Sequence, residues 1–99
     1  MNKLKGYFNN KKIEVIENQV LRKGKEIEFK IKIPSVVGAV EYYCRAKNKK
    51  RVNDGDLSSA FVQGQIKRLP VLFLTTGELT KKAEEMLEKE LKGLVVKKL

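Results

Sequence analysis

Four consecutive apolar residues, Val71-Leu72-Phe73-Leu74, constrain the architecture of this chain more than any other stretch. Successive side chains of a strand face opposite ways. An unbroken apolar run of strand length therefore needs cover on both faces. Pro70 in front and Thr75-Thr76-Gly77 behind bound the run and keep it short. Before it, Leu57, Ala60, Phe61 and Gly64 recur at helical spacing and predict a helix over Leu57–Arg68, which Pro70 stops by restricting Leu69. Asp56 is the expected N-cap of that helix, and the mid-helix Gly64 implies close packing or close approach of a ligand. Strand, helix and strand in this order imply a right-handed crossover. The expected fold is α/β (α+β): a single three-layer α/β/α domain over residues 1–99 with a mixed central sheet.

The other elements follow in order. Leu4, Tyr7 and Phe8 form the apolar side of a short N-terminal helix that ends at Asn9-Asn10. Ile13 to Leu21 reads as a first strand with a bulge near Glu17-Asn18, where the alternation slips. Arg22-Lys23-Gly24-Lys25 is a hairpin turn. Glu26 to Ile33 alternates strictly, Ile27, Phe29, Ile31 and Ile33 against Glu26, Glu28, Lys30 and Lys32, and Pro34 is expected to end it. Thr80 should cap a last helix with Leu79, Ala83, Met86, Leu87 and Leu91 as its apolar stripe. Gly93 is expected to stop that helix, and Leu94-Val95-Val96 to form an edge strand guarded by Lys97 and Lys98. The predicted order is α-β-β-β-α-β-α-β.

The functional signal lies in Ala39–Asp56. Val40, Tyr42, Cys44 and Ala46 alternate with Ala39, Glu41, Tyr43, Arg45 and Lys47, so a half-buried strand delivers Arg45 and Lys47 to one face. The chain then turns basic through Lys49, Lys50 and Arg51, with no acid among them. The whole chain carries +10, from 22 Lys+Arg against 12 Asp+Glu. That balance favours a polyanion such as DNA, RNA or an anionic surface. A lysine-rich surface that only keeps the protein soluble is the plainer alternative. Histidine is absent and cysteine occurs once, which excludes a Cys/His zinc site within one chain and a histidine base for a Ser or Cys nucleophile. No apolar run approaches the roughly 20 residues of a membrane span. The N-terminus lacks an apolar signal core, so no membrane partner and a cytoplasmic location are expected.

With this element order, three pieces carry a resemblance: Gly24-Lys25-Glu26-Ile27-Glu28, Arg45-Ala46-Lys47-Asn48, and Leu72 to Ala83 with its Thr75-Thr76-Gly77-Glu78-Leu79-Thr80 core. The chain resembles the restriction-endonuclease-like superfamily of PD-(D/E)xK nucleases, in particular the archaeal branch related to Holliday-junction resolvases and type IV restriction nucleases. In that family an acid on the second strand, and an acid two residues before a lysine on the third, hold a divalent metal, while the lysine positions the attacking water. By position Glu28 matches the first acid and Lys47 the lysine. Arg45 stands where the second acid belongs. A guanidinium offers Mg²⁺ no ligand. At about 4 Å and an effective dielectric near 20, a +1/+2 pair repels by roughly 8 kcal/mol.

The resemblance thus implies a nuclease-like domain that binds nucleic acid, duplex DNA first, without metal-dependent cleavage and with no cofactor. Arg45, Lys47, Lys49, Lys50 and Arg51 are the expected phosphate contacts, with Lys67 and Arg68 as outer support. In the catalytic alternative, Glu28 holds Mg²⁺ with a displaced acid (Glu26, Asp54 or Asp56, since Glu41 lies too far along the strand) and Lys47 is catalytic. In a third reading the domain is a structural module, or a subunit that forms a homodimer. Two side chains are open to more than one use: Glu28 can simply pair with Lys47 or Arg45 across strands, and Tyr43 can stack on a base or pack against the helix.

Overall fold

The computed structural model describes residues 2–99. Helix α1 (Asn2–Asn10) is followed by an antiparallel meander of β1 (Glu14–Arg22), β2 (Glu26–Ser35) and β3 (Gly38–Lys47). The chain continues through β4 (Arg51–Val52), α2 (Asp54–Lys67), β5 (Val71–Thr75), β6 (Glu78–Leu79), α3 (Lys81–Lys89) and β7 (Leu94–Lys98). The main sheet has the order β1-β2-β3-β5-β7, with β5 parallel to both of its neighbours. All five residues of β5 are buried, as the unbroken apolar run requires. The fold is therefore mixed α/β, with three helices and a five-stranded mixed sheet.

Two apolar clusters lie on opposite faces of that sheet, and β5 divides its side chains between them. Val71 and Phe73 join Tyr43, Leu57, Ala60 and Ala83 beneath α2 and α3. Leu72 and Leu74 join Ile31, Cys44 and Ala46, covered by Leu4 and Phe8 of α1. Phe8 packs edge-on against Phe29 with ring centroids 5.2 Å apart. Thr80 caps α3 as expected, its hydroxyl accepting from the Ala83 N–H. The β1–β2 ladder slips at Ile16, beside the bulge read from sequence, and again at Leu21.

Four expectations need correction. Two short strands, β4 and β6, pair in parallel as a separate two-stranded sheet, so Arg51 lies in a strand and the predicted element order was incomplete. Pro34 does not end β2, which pairs with β3 through Ser35 opposite Gly38. The reason is local: β1 starts at Glu14 opposite Lys32, so beyond that point β2 has a neighbour on one side only, where a missing N–H is tolerated. The cap of α2 is Asn53, which accepts from the Asp56 N–H, while the Asp56 carboxylate accepts from the Asn53 N–H. Asp56 completes a capping box from inside the first turn. Finally, α3 ends at Lys89, short of Gly93.

Close packing explains Gly64. A Cβ there would stand 2.2 Å from Val71 Cγ2 and 3.0 Å from the Leu69 carbonyl oxygen. Helix α2 then stops through Arg68, which takes the left-handed conformation at φ 58° while the Leu69 N–H reaches back to the Gly64 carbonyl at 2.9 Å. The helix is thus ended by its own C-terminal turn before Pro70 is reached.

Candidate nucleic-acid interface

The register of β2 against β3 sets the geometry. Glu26 lies opposite Lys47 and Glu28 opposite Arg45, so all four share one sheet face. The same-face placement read from the alternation of the two strands is what the structure shows. What these residues do there differs from a phosphate-binding row.

Arg45 is only 6% exposed. Its Nη1 donates to Glu26 Oε2 at 2.8 Å, its Nε donates to the Tyr43 hydroxyl at 2.9 Å, and that hydroxyl donates to Glu28 Oε2 at 2.6 Å. Burial works against the guanidinium charge, but the hydrogen bonds it donates to Tyr43 and Glu26 outweigh that and push the Arg45 pKa up. Burial, aided by Glu28, raises the Tyr43 phenol well above its ordinary value. Tyr43 itself is buried, so it packs rather than offering a stacking surface. Cys44 is buried on the opposite face and its thiol is raised by desolvation, which makes it inert.

Lys47 and Lys49 are also engaged. Both ammonium groups lie 2.7 Å from the Asp56 carboxylate, and Lys47 is 3.7 Å from Glu26. Burial alone would raise the Asp56 pKa. The hydrogen bonds from Lys47, Lys49 and the Asn53 backbone reverse that and hold it below the ordinary carboxylate value. Three cations thus meet three carboxylates in this inner cluster, Arg45, Lys47 and Lys49 with Glu26, Glu28 and Asp56, and their formal charges cancel.

This donor set does not fit a divalent cation. One oxygen of each glutamate is occupied, Glu28 by Tyr43 and Glu26 by Arg45, and the guanidinium stands between them. Among the described residues no group of three or more Asp, Glu or Cys is arranged to hold a metal ion.

The unneutralised charge lies just outside. A groove of about 390 Å³ at the end of the meander is lined by Arg22, Lys25, Lys47, Lys49 and Lys50, with Glu26 at its base. The hairpin closes one wall, since the Asn48 N–H donates to the Lys25 carbonyl at 2.7 Å. Among the described residues Arg22, Lys23, Lys25, Lys50 and Arg51 form no ion pair, and all five are exposed. Lys67 and Arg68 lie elsewhere. Lys67 stands 6.0 Å over the Tyr43 ring and Arg68 lines a separate concavity beside Pro70, at the far end of α2. The sequence reading missed Arg22, Lys23 and Lys25, which it took as a turn alone. The available signal was the meander register: residues just before Glu26 must lie beside residues just after Lys47.

The floor of the basic loop is fixed by backbone. Glu78 N–H donates to the Lys50 carbonyl and Thr80 N–H to the Val52 carbonyl, at 3.1 and 2.9 Å. Gly77 passes so close that a Cβ would lie 1.8 Å from the Lys49 carbonyl oxygen. The Thr76 hydroxyl adds a bond to Asn48 Oδ1 at 2.8 Å.

No family model, no curated protein and no solved structure matches this chain. No helix of the described residues is long and apolar enough to cross a membrane.

Proposed function

We propose that this domain binds nucleic acid, duplex DNA in the first instance, through the groove between the β1–β2 hairpin tip and the loop after β3. The observation that carries the reading is the separation of charge: a self-neutralised inner cluster lies beside a rim of five exposed, unpaired cations from two chain segments, of which Arg22, Lys25 and Lys50 line the groove. Such a rim meets a phosphate backbone by position rather than by base sequence. In this reading Lys47 and Lys49 line the groove already paired, Arg45 is internal, and Lys50 and Arg51 remain contacts. The resemblance to PD-(D/E)xK nucleases agrees with a nucleic-acid partner. The occupied carboxylates around Arg45 favour binding without metal-dependent cleavage.

Fluorescence anisotropy on a short duplex over a range of salt tests this. If all five rim cations neutralise phosphates, the slope of log K against log salt is about −4.5, at about −0.9 per contact. The double variant Lys25→Ala/Lys50→Ala takes one cation from each segment and flattens the slope by about 1.8, with similar losses for all duplex sequences. A folded double variant with unchanged affinity and slope would sink the proposal.

A further inference from the structure

The two edges of the main sheet are built differently. β7 ends in Lys97-Lys98, the charged guard that keeps an edge from pairing. β1 is longer, is exposed at all nine residues, and contains no lysine and no proline. Its Val15, Ile16, Val20 and Leu21 are 37–56% exposed. An unguarded edge of this kind invites another strand.

The sequence of β1 specifies which strand. Seven of its residues occupy successive ladder positions on β2, namely Glu14, Val15, Glu17, Asn18, Gln19, Val20 and Arg22, with Ile16 and Leu21 as the extra residues of the two bulges. Asn18 is the middle position. Reversing the strand about Asn18 sets Glu14 against Arg22, Val15 against Val20, Glu17 against Gln19, and Asn18 against itself. Opposite residues of an antiparallel pair must share a face, and every one of these pairs does. Glu14, Glu17, Gln19 and Arg22 lie on the face of Glu28 and Arg45; Val15, Asn18 and Val20 lie on the other. Shifting the register by one residue pairs residues of opposite faces. Moving it by two either opposes Glu17 to itself or opposes Asn18 to Val20 and shortens the overlap.

We infer that β1 is a homodimerisation edge: two copies of this chain pair their β1 strands antiparallel about Asn18, with Glu14 bonded to the partner's Arg22 at each end, and join their sheets into one. The occupant is a second copy because the strand is complementary in charge and polarity to its own reverse. Arg22 also lines the basic groove, so the dimer sets one groove at each end of the paired strands, where the pairing of Arg22 with Glu14 leaves Lys23, Lys25, Lys50 and Arg51 as the unpaired cations.

Sedimentation equilibrium without nucleic acid, from about 1 µM to about 1 mM protein, the span of weak to moderate association, tests the inference. The expected result is a monomer–dimer equilibrium. Glu14→Lys alone and Arg22→Glu alone each place like charges opposite each other twice per dimer and weaken association by about tenfold or more. An equimolar mixture of the two variants recovers the original association, because their heterodimer restores both opposite-charge pairs. A loss of folding in either variant does not produce that recovery. Asn18→Lys, an exposed position on the axis, sets two ammonium groups side by side and also weakens the dimer. A chain that stays monomeric over the whole range, single variants that associate as well as the original, or a mixture no tighter than its components would each overturn the inference.

Discussion

Replacing Arg45 by Met separates a structural cation from a ligand-binding one. Methionine is unbranched and adaptable, so it keeps most of the packing of the arginine stem. What it removes is the charge that holds Glu26 at 2.8 Å and the donor to Tyr43. Deleting one partner of a buried ion pair costs about 3–5 kcal/mol, because the other charge is left uncompensated. Here Glu26 keeps Lys47 at 3.7 Å and Glu28 keeps the Tyr43 hydroxyl, so the low end applies, about 3 kcal/mol. A domain of this size has roughly 5–15 kcal/mol in total and stays folded. In urea the midpoint should fall at unchanged m. On heating, at roughly 4–8 °C per kcal/mol, Tm should drop by about 12–24 °C. The double variant Arg45→Met/Glu26→Gln removes both charges and should lose less than Arg45→Met alone. Because the guanidinium is sealed at 6% exposure, the salt slope of DNA binding should not change. A loss below about 1 kcal/mol, the value of an exposed pair, or a flattened salt slope, would refute the argument that Arg45 is internal.

Two other substitutions probe the support of the basic loop. Asp56→Asn weakens the capping box and both lysine pairs and should cost about 1–2 kcal/mol at neutral pH. The Asp56 carboxyl is held below its ordinary 3.8 in the fold, so its stabilisation is present above that value and is lost as pH falls through the lower folded value. The gap in Tm between the original and Asp56→Asn should therefore close in acid below that window; a gap of the same size at the acid end would contradict the pairing. Gly77→Ala drives a Cβ into the Lys49 and Lys50 carbonyls and should cost about 1–3 kcal/mol as an overpacked site. It should weaken DNA binding at the same time, and normal affinity with normal Tm would show that Gly77 does not set the loop.

The elements that were legible in the sequence are those with a period or an unbroken apolar run. The alternation of Glu26 to Ile33, the apolar run of Val71 to Leu74 and the stripe of the last helix each announced a face and a layer. β4 and β6 are two residues each, too short to show a period, and they exist because Lys50, Val52, Glu78 and Thr80 meet across a long separation. The α2 cap was ambiguous because Asn53-Asp54-Gly55-Asp56 offers several acceptors; only the reciprocal bonds of Asn53 and Asp56 decide among them. Arg45 was read on the correct face but in the wrong environment. Strand alternation assigns a side, whereas burial depends on what α2 covers and on which carboxylates the register brings opposite.

That difference relocates the candidate function. Arg45, Lys47 and Lys49 are adjacent on one face and would repel one another without counter-charges. The fold supplies three carboxylates from two elements, Glu26 and Glu28 from β2 and Asp56 from the first turn of α2. Asp56 serves twice, since one carboxylate closes the helix start and anchors two lysines. The charge cancelled in this way holds the loop; it cannot also attract a polyanion at long range. What remains to do so is the charge with no partner, and the β2–β3 register brings that of the hairpin tip and that of the loop to the two walls of one groove. The proposed phosphate-binding surface is therefore a property of two segments together, and removing cations from the loop alone leaves the hairpin wall, Arg22 and Lys25, in place.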